Sequence, residues 1–362
     1  MANLSQLGNS LYRGDVSYNI VGRRKTWYLV SAVLIILSVT TLGIRGLNLG
    51  IEFKGGAEFS VPVSVANDQS LVQARETVSA AGETPSTVTI VGGDTIRIQT
   101  PALTTQASNA LSAALAKSFA VEEANIKVQL VGPSWGDEVT QNALRALIVF
   151  LILVAIFLSI YFEWPMAVAA LIALAHDVLI TVGIYALSGF EVTPASVIGF
   201  LTILGYSLYD TVVVFDKVKE NTKGIHGGSR TTYSEAANLA LNQTLVRSIN
   251  TSVVALLPVL SILVVGVSLL GVGTLNDLAL ALFVGMLVGT YSSIFVATPF
   301  LCQIKERTAE NIALAKRVKA KRKNGESLDD IKPVVNIGAP IVSSAGPRQQ
   351  QVKKTRSRRS GK

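Results

Sequence analysis

A single cysteine, Cys302, among 362 residues excludes any intramolecular disulfide, so no covalent staple holds this fold. Two histidines, His176 and His226, leave little for a histidine-rich metal site, and no zinc-type spacing involves them. Charge is also scarce. Asp, Glu, Lys and Arg make up 15% of the chain, against about 25% in soluble domains. No G-x-x-x-x-G-K-[ST] loop and no G-x-G-x-x-G after a strand occurs, so energy from a bound nucleotide has no support. No Ser/His/Asp arrangement has a plausible spacing, and neither catalytic residues, a cofactor nor a metal is expected. The chain is apolar instead, with 49% hydrophobic residues and a mean hydropathy of +0.46. That composition describes a membrane protein.

A bilayer core takes about 20 apolar residues per helix. Residues 26–44 and 146–162 are uncharged, and 164–190 are broken only by His176-Asp177. Residues 192–215 are broken only by Asp210, and 248–276 and 278–304 carry no charge at all, Asp277 lying between them. Six spans are therefore expected. No small-residue cleavage site follows the first, which reads as a retained helix.

Orientation follows from Lys and Arg in the short loops. Arg13, Arg23, Arg24 and Lys25 precede the first span, and Lys217, Lys219, Lys223, Arg230 and Arg247 lie between the fourth and fifth. From Lys305 onward, 16 Lys/Arg face 5 Asp/Glu. The expected organisation is a cytoplasmic segment 1–25, a first helix 26–46 and an extracytoplasmic domain 47–138. Helices two to six with a cytoplasmic loop 217–247 fill 139–304, and a basic, largely disordered cytoplasmic tail covers 305–362. The tail suits anionic lipid head groups, and without interleaved aromatics it gives no specific nucleic-acid signal.

The segment outside the cytoplasm patterns as a small α+β domain. Residues 57–63 and 87–100 read as strands, with Gly92-Gly93-Asp94 as a hairpin turn. Residues 68–82 and 103–119 read as helices, the first capped by Asp68 or Ser70, and 125–131 read as a closing strand. The order βαββαβ suggests a ferredoxin-like unit. Thr232 and Glu235 have capping-box spacing at the start of a helix running into the fifth span.

Asp210 is the residue that composition does not excuse. An Asp at the centre of a membrane helix costs about 2.5–3.5 kcal/mol, so such residues face a bundle interior or a hydrated path. Asp216, beside Lys217, reads as a helix-end residue reaching water, but Asp210 lies about 9 Å deeper. The fifth span begins near Arg247, at similar depth, so an Asp210–Arg247 pair is geometrically allowed. His176 and Asp177, about 100° apart on the third helix, are expected to face different partners. Gly199, Gly205, Ser207, Thr211, Ser248 and Asn250 supply close packing and hydroxyls. The chemistry of such a cluster is proton handling, since burial raises a carboxylate's pKa and a nearby Arg lowers it.

These residues resemble the SecF branch of the SecD/SecF family. "GIEFKGGAEF" (50–59) is similar to its glycine-rich motif, with Gly50, Gly55 and Gly56 in place and Glu52 where the family usually has Asp. "ALAHDVLITVGIY" (173–185), "IGFLTILGYSLYDTVVVFDKVKEN" (198–221) and "LNQTLVRSINTS" (241–252) are similar to its signature blocks. The resemblance covers nearly everything up to about residue 305. It implies a six-helix half of an RND-type transporter fold, completed by SecD, in a bacterial cell membrane. It further implies a proton-motive-force-coupled accessory role in Sec protein export, with the SecYEG channel, YajC or YidC, and the translocating preprotein as partners. Asp210 and Arg247 match family positions implicated in proton conduction. Two other readings are an RND-type small-molecule or lipid exporter half and a passive assembly subunit. The exporter class usually carries two six-helix halves and two larger external domains in one chain, whereas one of each is expected here.

Overall fold

The computed structural model describes residues 10–11, 13, 16–91, 93–265 and 273–323. Among the described residues, six helical stretches are long and apolar enough to cross a membrane. They are α1 (Arg24–Arg45), α5 (Pro133–Tyr161), α6 (Trp164–Ser188), α7 (Pro194–Thr222), α8 (Tyr233–Val265) and α9 (Gly273–Ser292). The last runs on through a π-turn, Ser293–Ala297, into α10 (Thr298–Lys305). Pro299 explains the widening, because it offers no N–H to the Phe295 carbonyl one turn back. The helix starts follow their local chemistry. Thr193 and Ser196 form a reciprocal capping box ahead of Pro194, and Thr232 and Glu235 cap α8 in the same way.

Between α1 and α5 lie β1 (Asn48–Leu49), α2 (Ile51–Lys54), β2 (Gly56–Pro62), α3 (Asp68–Ala80), β3 (Thr87–Val91), β4 (Thr95–Thr100), α4 (Thr105–Phe119) and β5 (Lys127–Val131). From β2 to β5 the order is βαββαβ, in an antiparallel sheet β3-β4-β2-β5. Alternation sends Phe59, Val61, Ile96 and Ile98 to the face that α3 and α4 cover with Ala74, Val78, Leu111 and Leu115, all fully buried. The first helix is capped by Asn67, one residue before the expected Asp68, with Ser70 completing the box. Gly93 takes the positive φ of the hairpin turn, and Gly92 lies outside the described residues.

One connection has no counterpart in the sequence reading. β6 (Glu191–Val192), in the short α6–α7 loop, pairs in parallel with β1. Two residues per strand carry no periodicity, so nothing in the sequence signals them. The pairing ties the root of the βαββαβ domain to the start of α7. At the far end of the bundle, Arg24 pairs with Glu306 and Lys305 with Glu163. The basic tail opens with a helix, α11 (Ala309–Lys323). Leu314 and Val318 bury one side of it, and Arg322 grips Glu235 through two bonds of 2.7 and 2.9 Å. The rest of the tail lies outside the described residues.

Candidate functional site

α7 and α9 approach closely at glycines. A Cβ on Gly285 would fall 2.1 Å from Ile203, one on Gly289 2.9 Å from Ser207, and one on Gly199 2.7 Å from Ala281. Gly205 takes no part in this contact. It faces outward, with nothing within 4 Å of a Cβ, which corrects its assignment to the packing shell.

Within this contact Asp210 is only 6% exposed, and Thr211 beside it is also buried. Both carboxylate oxygens accept from hydroxyls: Ser248 of α8 donates at 2.6 Å and Ser293 of the π-turn at 2.5 Å. Arg247 does not pair with it. That guanidinium is exposed and reaches Tyr209 Oη at 3.5 Å. The two cross-helix contacts are offset by one residue on each helix, Tyr209 with Arg247 and Asp210 with Ser248. One residue turns the side chain by about 100°, so Arg247 shares Asp210's depth but not its face. Asn250 is likewise exposed, outside the cluster. Asp216 is exposed at the helix end, and Lys217 bonds Glu220 at 3.0 Å.

His176 and Asp177 form a second buried group, 4% and 1% exposed. Their Nδ1 and Oδ1 atoms are 3.0 Å apart. Asp177 faces α7, accepting at Oδ2 from Ser207 at 2.5 Å and from Ser292 at 2.8 Å. His176 turns to α1 instead, with Nε2 3.2 Å from Ser31 Oγ. Ser31 lies 3.2 Å from Tyr291 Oη, which donates to the Trp27 carbonyl at 3.1 Å. Ser31, Tyr291, Ser292 and Ser293 were not expected at the site. The run Thr290-Tyr291-Ser292-Ser293 is the one available signal, a hydroxyl cluster within an otherwise apolar stretch.

The two adjacent serines serve different carboxylates, Ser292 bonding Asp177 and Ser293 bonding Asp210. Each has a second acceptor one turn back, Gly289 O at 3.2 Å and Thr290 O at 3.1 Å. Either hydroxyl can therefore rotate to its carbonyl and accept from a protonated acid. The shell suits both charge states of the carboxylates. Among the described residues, no group of three or more His, Cys, Asp or Glu is arranged to hold a metal.

The glycine-rich stretch sits at the other end, where the βαββαβ domain meets the bundle. Gly50 donates its N–H to Val192 O at 2.9 Å. Gly55 packs on Pro133, where a Cβ would lie 3.0 Å from the proline Cα. Arg97 of β4 reaches Glu191 at 2.7 Å, a pair only 21% and 8% exposed. Gln99 joins Glu191 to Glu58 at 2.7 and 3.0 Å. Arg97, Glu191 and Glu58, together with Glu52 and Asp277, line a polar cavity of about 360 Å³.

Burial lifts the Glu52 carboxyl above the ordinary glutamate range, with repulsion from Glu191 and Glu58 adding to it. A raised folded-state pKa means that this group's contribution is full below about pH 4.5 and is lost as pH climbs through the raised value. Glu52→Gln is expected to raise the thermal midpoint at pH 7 and leave it unchanged at pH 4. An unchanged midpoint at both pH values in thermal unfolding would show that Glu52 is not strained.

Residues 111–307 match the family described as protein export membrane protein SecD/SecF, C-terminal, and residues 40–66 match the SecD/SecF GG motif. Over 325 residues the chain is 50% identical to a protein translocase subunit SecF of Streptomyces coelicolor, covering 90% of this chain and 87% of that one. It is 44% identical over 326 residues to a protein translocase subunit SecF of Mycobacterium tuberculosis, covering 87% and 73%. The solved structure of SecDF, a translocon-associated membrane protein of Thermus thermophilus, superposes with a TM-score of 0.72 at 31% identity. That match covers 81% of this chain and 39% of the other, so the chain spans about two fifths of the solved polypeptide.

Proposed function

The chain belongs to the SecD/SecF family of protein-export membrane proteins, on its SecF side, and on that premise we propose that it couples proton movement to protein export. Its coarse role is that of an accessory subunit of the Sec translocase. In the finer reading it pairs with SecD, as one six-helix half of an RND-type bundle, and acts with the SecYEG channel on preproteins late in translocation. The external βαββαβ unit is then a ferredoxin-like domain on the extracytoplasmic side, and the positive-inside pattern puts both termini in the cytoplasm. The basic tail meets anionic lipid on that side.

The observation that carries the coupling is Asp210, a buried acid at membrane depth, capped by two serine hydroxyls. An Asp so placed without a paired cation is poised to bind and release a proton. One elementary charge crossing 100 mV is worth about 2.3 kcal/mol, enough to bias a conformational change. Arg247, one face away, is the cation that a helix rotation would bring to Asp210 to expel the proton. The β1–β6 pairing and the Arg97–Glu191 bridge give α7 a route to move the external domain.

The test is preprotein export in membrane vesicles at constant ATP, with and without this chain, before and after an uncoupler collapses the gradient. The stimulation due to the chain is expected to vanish with the gradient. Stimulation that survives the uncoupler would favour a passive assembly role.

A further inference from the structure

The direction of each bond in the Trp27–Tyr291–Ser31–His176 chain assigns protons that distances alone do not. Tyr291 Oη donates to the Trp27 carbonyl, which can only accept. Its single hydrogen is thereby used, so the 3.2 Å contact with Ser31 is donated by Ser31. Ser31's hydrogen is then committed as well, and its 3.2 Å contact with His176 requires an Nε2–H donor. With Nε2 protonated, the 3.0 Å Nδ1···Oδ1 contact needs a proton of its own. Either an imidazolium Nδ1–H donates to the carboxylate or a carboxylic O–H donates to a bare Nδ1. In both cases the pair holds one proton more than a neutral histidine beside a bare carboxylate. Ser207 and Ser292 already saturate the other oxygen, Oδ2, and fit either form.

We propose that His176–Asp177 is a second proton-holding station, and that Ser31 and Tyr291 form its release wire. The step balances. Nε2 passes its hydrogen to Ser31, Ser31 passes its own to Tyr291, and Tyr291 releases the hydrogen it had given to the Trp27 carbonyl to water at that end of α1. What remains is an Nδ1–H histidine on an ionised Asp177, with Tyr291 donating to Ser31 and Ser31 to Nε2. Trp27 lies in the first turn of α1, close to the Arg24–Glu306 pair, so release is toward the end that the charge pattern makes cytoplasmic.

The charged and titratable groups around the pair are few. α7 brings Asp210, beyond the Ser292–Ser293 step, and the end of α9 brings Tyr291. α1 brings Tyr28 and Arg24, and α10 brings Cys302 and the adjoining Glu306, all toward the cytoplasmic end. α5 carries Asp137, Glu138 and Arg145 in its first half, near the external domain. The proton count stands on geometry, whereas the role as a station rests on the coupling reading above.

The experiment uses the full chain with His226→Gln, which leaves His176 as the one histidine. His226 is an exposed loop residue whose imidazole meets Glu310 at 3.6 Å. The chain is labelled with ¹⁵N-histidine in lipid nanodiscs and read by solid-state NMR and infrared spectroscopy. At pH 7 Nε2 is expected to be protonated. Its companion is either a protonated Nδ1 or a carboxylic C=O band that Asp177→Asn removes. A bare Nε2 with Nδ1–H at pH 7 would overturn the assignment. Tyr291→Phe removes the acceptor that orients Ser31 toward it, so Ser31 is free to donate to Nε2, and the Nε2–H signal at pH 7 should give way to an Nδ1–H histidine. An Nε2–H signal unchanged by Tyr291→Phe would remove Ser31 and Tyr291 from the wire. Gradient-driven proton flux that is unaffected by Asp210→Asn would overturn the station's role while leaving the NMR assignment intact.

Discussion

Asp210→Asn removes the gradient-dependent part of preprotein export while the chain still inserts and assembles. The expected loss is tenfold or more in the stimulation that the proton gradient adds, with ATP-driven export unchanged. Asn keeps the size of Asp and can still hydrogen-bond Ser248 and Ser293, because both hydroxyls can reverse their role. Stability should therefore change by about 1 kcal/mol or less, as an uncharged isostere also relieves the desolvation of a buried carboxylate. Chemistry and folding separate in this variant, because Asn cannot bind and release a proton near neutral pH. Quantifying the chain in membranes alongside export checks both halves. Loss of the chain together with export would point to a structural role for the carboxylate.

Gly56→Ala is the second large effect, and it acts on the βαββαβ domain. Gly56 opens β2 at φ +154, a conformation that L side chains rarely adopt. A Cβ there would lie 2.6 Å from the Thr100 carbonyl oxygen of β4 and 3.0 Å from Ile51. The first contact is with backbone that the β2–β4 register holds in place, so it can be relieved only by opening the ladder. The expected cost is about 3 kcal/mol, from strain plus lost pairing. Gly82→Ala is the internal comparison. It too has a positive φ, +82, but nothing lies within 4 Å of its Cβ, and about 1 kcal/mol is expected. Hydrogen exchange at the β2 and β4 amides distinguishes them: strong deprotection in Gly56→Ala and near-native protection in Gly82→Ala. Equal effects would show that backbone conformation alone, not the contact with Thr100, sets the cost.

Long apolar runs and alternation made the six spans and the βαββαβ order readable, since both are periodic signals tens of residues long. Asp210 stood out because a charge among Leu, Val and Phe has no inexpensive explanation. What sequence carries poorly is azimuth. Arg247 was placed at the right depth, yet one residue decides whether a side chain meets Asp210, and Ser248 holds that position. Gly205 illustrates the same limit, being indistinguishable in sequence from Gly199 yet turned outward. The shell around both acids was legible only in part: Ser207 and Ser248 stood among the small and hydroxylic residues near the acids, whereas their partners on α1, α9 and the π-turn did not. Ser31, Tyr291, Ser292 and Ser293 cost little in an apolar run, so only the Thr290–Ser293 hydroxyl cluster hints at them before the fold brings Ser292 and Ser293 onto two carboxylates. β1 and β6 are short enough to escape any pattern.

The central claim is that Asp210 carries the proton, and gradient-driven proton flux into liposomes holding the assembled complex tests it most directly. Wild-type chain, Asp210→Asn and the double variant Ser248→Ala/Ser293→Ala should be compared under one imposed gradient. The account predicts flux at the leak level for Asp210→Asn, and a reduced but measurable flux when only the serine shell is removed. Flux through Asp210→Asn equal to that of the wild type would contradict it.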